Sequence, residues 1–454
     1  MKRLCFAILF VISSASVFSQ AIPAKSLTYK QAIDIALEKN IDVIRAQNTL
    51  ETQQSAVLSA YGNFLPSLSA SGSWSRNETH QPATAAGFYN QGGILVPTAG
   101  TSGISASNSF SSGVTARLTL FDGFNNTSNL NKASSTAVSN EYALYRMQQG
   151  IVFQTQNMYL QVLRNRTLLG VSTDNLKRSQ QQLQRIVESN KVGAVAAADV
   201  YRQQVQTAND ELSLIRAQNT YDNSKADLLF LLSLDVSADY DISDSQLIAE
   251  AEKADAAEAK SKYSDYNVLT TRALDVRPDY QAAKYAKSGA ESDVTIARSG
   301  YLPTISANAG YSFSNSDLSA ISDNKYMNWG LTVSLPLFNG FQTNAQVQGA
   351  KLRLRNSEEQ VSQAARQVQV DVKKAMLNFE SAQKQVEVSQ KSVVSAEEDR
   401  RIAEERYNLG AGILLDLLTA NANYTQAMSN KVNAQYDLLL AKEQLRYVVG
   451  AEKY

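Results

Sequence analysis

The sequence predicts a mostly α-helical protein with a small β part, internally duplicated, each half holding two strands followed by a long helical hairpin. Three observations carry this. Paired landmarks recur at a constant offset of 217 residues: Gly123 with Gly340, and Gly193 with Gly410. Between them runs a seam of three- and four-residue steps with no proline. Four short segments before the hairpins alternate apolar and polar residues with period two.

The N-terminus reads first as a targeting segment. Lys2 and Arg3 precede an apolar run over residues 4–12, and residues 13–19 are mostly small. This pattern predicts a secretory signal over 1–19, with Gln20 as the new N-terminus. It would remove Cys5, the single cysteine, and leave 41 basic against 43 acidic residues. No later run approaches the roughly 20 apolar residues that cross a bilayer as a helix. A crossing would have to be made by strands.

Composition narrows the chemistry. The whole chain has 43 Lys+Arg and 43 Asp+Glu, so it lacks the basic excess of a nucleic-acid binder. One His and one Cys exclude most zinc, haem and iron–sulfur sites and the usual nucleophile–histidine arrangements. His80 reads as a solvated loop imidazole, and Glu397/Glu398 and Glu404/Glu405 as solvated helix faces. No cofactor, metal or catalytic set is expected.

The duplication is exact in its long part. Leu120-Phe121-Asp122-Gly123-Phe124 corresponds to Leu337-Phe338-Asn339-Gly340-Phe341. Val192-Gly193-Ala194 with Asp199-Val200 corresponds to Leu409-Gly410-Ala411 with Asp416-Leu417. Both intervals, 123 to 193 and 340 to 410, span 70 residues. The Pro66 and Pro303 landmarks stand 237 apart, so the first half carries 20 more residues in the loop between its strands. A length kept over 70 residues implies a rigid element.

That element reads as a helix. Val162, Leu169, Leu176 and Leu183 recur every seven residues. Phe379, Ala382, Val386, Ser389, Val393, Ala396, Arg400, Ala403 and Tyr407 alternate steps of three and four. Both are coiled-coil seams. Nothing between Pro97 and Pro278, or after Pro336, breaks a helix. Some 65 residues make a rod of about 100 Å. Gly193 and Gly410 read as left-handed caps. Helical pattern then resumes over 200–232 and 414–449.

The four alternating segments are 67–74, 114–120, 304–313 and 327–337, joined pairwise by polar loops 76–112 and 314–326. Aromatic residues gather at their ends: Trp74, Phe110, Tyr311, Phe313 and Trp329 at one, Phe64, Phe121, Phe124, Tyr301, Phe338 and Phe341 at the other. A half-buried soluble sheet alternates in the same way. Export and the aromatic ends favour strands in a membrane. Four strands cannot close a barrel, and an open edge in lipid leaves backbone groups unsatisfied, so at least two copies must join.

Taken together, the duplicated hairpins, the Leu-Phe-Asp/Asn-Gly-Phe junctions and the Arg406-Tyr407-Asn408-Leu409-Gly410 tip resemble the TolC-like outer-membrane efflux protein family, the outer membrane factors. The resemblance covers nearly the whole mature chain. It implies a homotrimer with one shared 12-stranded outer-membrane β-barrel and a periplasmic α-barrel of twelve helical columns. It implies an exit duct of a tripartite efflux or type I secretion system, gated at its periplasmic tip. The implied partners are a periplasmic adaptor, an inner-membrane transporter and outer-membrane lipid. The chain then divides into a signal at 1–19, a first repeat at 20–232, an equatorial linker at 233–265 and a second repeat at 266–454. Residues 235–258 carry eight acidic residues and one Lys, as a solvated linker also would.

By the same resemblance, Asp416 falls on an aspartate ring that narrows the closed tip. Asp199 and Tyr407 fall on its polar network, and Val192, Gly193, Ala194, Leu409, Gly410 and Ala411 on the adaptor-docking tips. Gly412 and Thr419 depart from the family pattern, which has an Arg and a second ring Asp there. The alternative for Asp199 and Asp416 is a plain interaction with the helix dipole. A trimeric membrane-anchored stalk or adhesin is the alternative function, but it needs neither equal hairpins nor a polar lumen.

Overall fold

The computed structural model describes residues 25–81, 87–98, 103–244 and 265–450. The signal segment at 1–19 and residues 245–264 of the linker lie outside them. In chain order the elements are β1 (Lys25–Ser26), α1 (Tyr29–Lys39), α2 (Ile41–Gly62), β2 (Ser67–Gln81), β3 (Gly87–Gln91), β4 (Ile94–Thr98) and β5 (Gly103–Phe121). The first hairpin follows as α3 (Asn125–Lys191) and α4 (Ala197–Leu231), then β6 (Tyr240–Asp241). The second half has α5 (Tyr266–Val276), α6 (Pro278–Ser299), β7 (Thr304–Asn315), β8 (Lys325–Ser334), α7 (Gln342–Asn408) and α8 (Leu414–Val449).

Ahead of each strand pair stand two helices. Asn40 divides the first two, its side chain capping α2 by accepting from the Asp42 N–H at 2.9 Å. The second two divide at Arg277, and Pro278 starts α6 where its missing N–H costs nothing.

The long helices match expectation closely. Helices α3 and α7 are each 67 residues, about 100 Å of rise. Along α7 every seam position from Phe379 to Tyr407 is buried or half-buried, and the stripe continues back through Ala375, Val372 and Val368. On α3 the heptad holds at Val162 and Leu176, but Leu169 and Leu183 are half-buried, and Ser179, Gln182 and Ile186 carry the seam onward. A straight helix drifts against a strict seven-residue repeat, which moves the buried stripe to neighbouring positions.

The chain forms two compact units, and each draws segments from both halves of the sequence. Among the described residues, one comprises 25–36, 154–244 and 383–440. Its core includes Tyr159, Leu160, Leu163, Leu228, Leu232, Ile242 and Leu417. Here β1 pairs in parallel with β6, and Arg166 holds Asp241 at 3.0 Å and the Ile242 carbonyl at 2.8 Å. The Tyr159 hydroxyl donates to the Leu27 carbonyl, and burial raises its pKa. The described start of the linker is thus packed, with Ile242 fully buried.

The other unit comprises the described residues of 37–153, with 265–382 and 441–450. It holds a four-stranded antiparallel sheet in the order β2-β5-β7-β8, with β3 and β4 as a separate hairpin. Two expectations are corrected here. The loop expected at 76–112 is largely strand: β2 runs to Gln81 and pairs with β5 from Gly103. Past Trp74, β2 holds no apolar residue, and β5 offers only Ile104, Ala106 and Phe110 on one face, so the period-two signal is weak, yet a ladder needs only backbone groups. The last strand ends at Ser334, not 337, because Pro336 has no N–H to give.

A charged cluster fixes α6 in this unit. Arg277, 2% exposed, donates to both oxygens of Asp279 and to Asp371 at 2.9 Å. Arg146 lies 3.8 Å from Asp279 and over the Tyr447 ring, which stacks on Phe153.

Candidate functional site

The hairpin tips are built alike. Loops 192–196 and 409–413 each join the two arms. Gly193 has φ +75° and Gly410 φ +72°, the left-handed conformation that side chains resist. The Ala194 N–H donates to the Ser189 carbonyl at 2.9 Å and the Ala411 N–H to the Arg406 carbonyl at 2.8 Å. Both tips therefore end in a Schellman motif. Val192 and Leu409 beside them are 80% and 82% exposed, so each tip presents an apolar residue to solvent.

The 217-residue offset exposes an asymmetry. Asp199 and Asp416 are the third residues of α4 and α8. One helical turn on, the first copy has Arg202 and the second Thr419. Arg202 lies 3.0 Å from Asp199 and neutralises it. Thr419 instead donates to its own helix, at the Leu415 carbonyl. Asp416 is exposed and makes no ion pair among the described residues. The copies also differ at Asn190, which donates to the Val195 carbonyl, and its counterpart Tyr407.

Tyr407 has a buried hydroxyl with no hydrogen-bond partner. Burial raises its pKa, and the nearby Asp199 charge adds to the effect. Asp199 and Tyr407 are near one another without a hydrogen bond between them. Gly412 is tightly placed: a Cβ there would lie 3.2 Å from the Arg406 Cβ and 3.3 Å from the Tyr407 N. A longer side chain cannot enter without moving the tip. The cation at this tip is Arg406, which donates to the Ala411 carbonyl.

Sequence reasoning missed the contacts that clasp the two hairpins. Arg185 of α3 lies 3.1 Å from Glu404 of α7, and Arg400 lies 3.6 Å from the same carboxylate. The Tyr424 ring of α8 sits under Arg400 at 4.9 Å and Arg178 at 5.5 Å. Glu404 is therefore no mere solvated face. Arg185–Glu404 and Arg178–Tyr424 join residues 219 and 246 apart, which a local pattern does not reveal. Glu398, by contrast, pairs among the described residues only along its own helix, with Arg401.

In the sheet unit, one face is apolar and open. Leu68, Trp74, Trp329, Leu331 and Val333 are all more than 60% exposed. Trp74 stacks on Phe110, and Tyr311 meets Phe313 edge-on. At the opposite end of the strands, Phe121 packs edge-on against Phe124 and Phe338 against Phe341, each at 5.5 Å. Gly123 and Phe124, and again Gly340 and Phe341, take positive φ in succession. The Leu-Phe-Asp/Asn-Gly-Phe motif is this left-handed step from strand into helix.

An antiparallel sheet with an apolar outer face, aromatic rows at both ends and long helical hairpins defines an outer-membrane channel protein with a helical extension. The sequence matches the outer membrane efflux protein family over residues 32–234 and 269–451, and the chain belongs to that family. It is 24% identical over 308 residues to the outer membrane protein TolC of Vibrio cholerae, covering 67% of this chain and 68% of that protein. It is 24% identical over 433 residues to the probable efflux pump outer membrane protein TtgC of Pseudomonas putida, covering 94% and 83%. The Campylobacter jejuni CmeC outer membrane channel shares its fold with a TM-score of 0.76 at 19% identity, over 93% of this chain and 85% of that one. The protein is an outer-membrane exit duct of efflux, with a periplasmic extension. Family membership sets aside the stalk or adhesin reading.

Proposed function

We propose that three copies of the chain form one passive duct, each contributing four strands to a 12-stranded barrel and one pair of hairpins to a periplasmic tunnel. The observation that carries this is the sheet itself: among the described residues its outer strands β2 and β8 each have an unpaired edge, and its apolar face is bare. In lipid, only edges supplied by other copies satisfy those backbone groups. In this reading residues 1–19 export the chain, the repeats 20–232 and 266–454 build the wall, and 233–265 form part of a belt around it. The apolar tips at 192–194 and 409–411 dock a periplasmic adaptor, and an inner-membrane transporter supplies the driving force. The duct has no catalytic role and takes no cofactor or nucleic acid. Its cargo is small toxic molecules or secreted polypeptides, chosen by the transporter.

The gate lies at the tips. Asp416, lacking the cation that Asp199 has in Arg202, is placed once per subunit at the narrowest point, with Tyr407 and Thr419 beside it. Three crowded carboxylates favour cations over anions. The test is reversal potential under a salt gradient in planar bilayers. Asp416→Ala should lower cation preference and block by multivalent cations, while Glu398→Ala changes neither. Unchanged values in Asp416→Ala would remove Asp416 from the gate.

A further inference from the structure

The polar face of the sheet is almost without charge. Apart from Tyr326, its rows hold mainly Ser, Thr, Asn and Gly, and the strand register aligns Ser67, Arg117, Asn308 and Gly330 in one row across all four strands. Arg117 is the one charged side chain on this face among the described strand residues. The other charged strand residues, Arg76, Glu78 and Lys325, share the parity of Trp74 and Met327 and fall on the opposite face. Arg76 and Glu78 pair with each other at 2.8 Å.

Arg117 is exposed, and its guanidinium has no ion-pair partner among the described residues. The hydroxyls around it are already committed. Ser69 bonds Thr115 at 2.8 Å, Ser73 bonds Ser111 at 2.8 Å, and Ser67 donates to the Arg117 carbonyl. Gly330 in the same row and Gly310 in the next add no bulk, and the Asn308 and Asn328 side chains lie over these glycines. A planar fork of donors is left with no side-chain partner among the described residues. It stands five residues before Asp122, at the end of the sheet from which the helices leave.

We infer that Arg117 is an anion-binding station in the wall of the duct, where carboxylate, phosphate or sulfate groups of passing solutes are held in transit. The inference rests on the trimeric barrel reading, which turns the polar face inward and sets three guanidiniums at one level. A guanidinium binds such groups bidentately, and a ring of them inside a pore raises local anion concentration. The duct then carries two filters of opposite sign, Arg117 at the sheet and Asp416 at the tips.

The experiment uses the full-length protein in planar bilayers, with inositol hexakisphosphate added to the barrel side. The wild-type current should be blocked, and Arg117→Gln should raise the half-blocking concentration about tenfold or more, one charge-assisted contact being lost per subunit. Arg117→Gln should also shift the reversal potential toward cations, and Arg117→Lys should keep most of both properties. A wild-type channel insensitive to the polyanion overturns the inference without any variant. Trimeric, conducting Arg117→Gln with unchanged block overturns it while leaving the duct intact. A chain that forms no trimer and no channel overturns the duct reading beneath it.

Discussion

Equal hairpin length is the feature most open to a direct test. Helices α3 and α7 have the same 67 residues, and the tip glycines stand at the same distance from their junction glycines. Removing residues 386–392 from α7 and 432–438 from α8 keeps the seven-residue seam in phase but withdraws the second tip by about 10 Å. Arg185 and Glu404 now sit 3.1 Å apart, so their ion pair cannot survive such a shift, and neither can the stacking of Arg178 on Tyr424. The lost ion pair is partly exposed and contributes only about 0.2–1 kcal/mol. Trimers should therefore persist while the tips no longer meet one adaptor surface together. The assay is accumulation of a fluorescent efflux substrate in whole cells, beside light scattering of the purified protein. Export should be lost with trimers retained, and a matching deletion in the first hairpin should restore part of it. Full export through unequal hairpins would refute the role of equal length.

Gly193→Ala and Gly410→Ala should each cost about 1–2 kcal/mol locally, since the left-handed caps resist a Cβ, and faster hydrogen exchange in the last turns of α3 and α7 should report it. The Arg277 cluster should be acid-sensitive. Burial opposes ionisation of Asp279, but the Arg277 hydrogen bond and the Arg146 and Arg277 charges outweigh it and depress its pKa. Its contribution is thus present above the unfolded carboxylate range and is lost as pH falls below about 4. Melting temperature should fall there in the wild type, and Asp279→Asn should be less stable at pH 6, by about 1–2 kcal/mol of unfolding free energy, with a flatter acid slope. An epitope inserted between Gly92 and Gly93, in the turn joining β3 to β4, should be labelled on intact cells if this hairpin faces outward. Labelling only after lysis would reverse the topology.

The hairpins could be read from sequence because two local signals agree at every step: an apolar seam with helical period, and a glycine where the seam stops. The Phe-Asp/Asn-Gly-Phe junctions were visible as a repeat, but their paired left-handed residues were not, since phenylalanine rarely adopts positive φ. The extension of β2 past Trp74 left no trace because residues 75–81 are all polar, and beyond Phe110 only Ile104 and Ala106 continue the apolar alternation of β5. At the tips, the Asp199–Asp416 equivalence follows from the 217-residue offset. Neutralisation of one by Arg202 needed only the residue one turn on, a helix-period pair that the sequence did contain. The Arg178–Tyr424–Arg400 stack and the Glu404 clasp depend on which helix faces arrive side by side, and tertiary packing decides that.

The claim beneath all of this is that one chain cannot make the duct and three can. Light scattering of the purified protein in detergent, corrected for bound detergent, tests it most directly. The account predicts a single species with the mass of three chains and a β-strand signal. A monodisperse monomer that keeps that signal would contradict it.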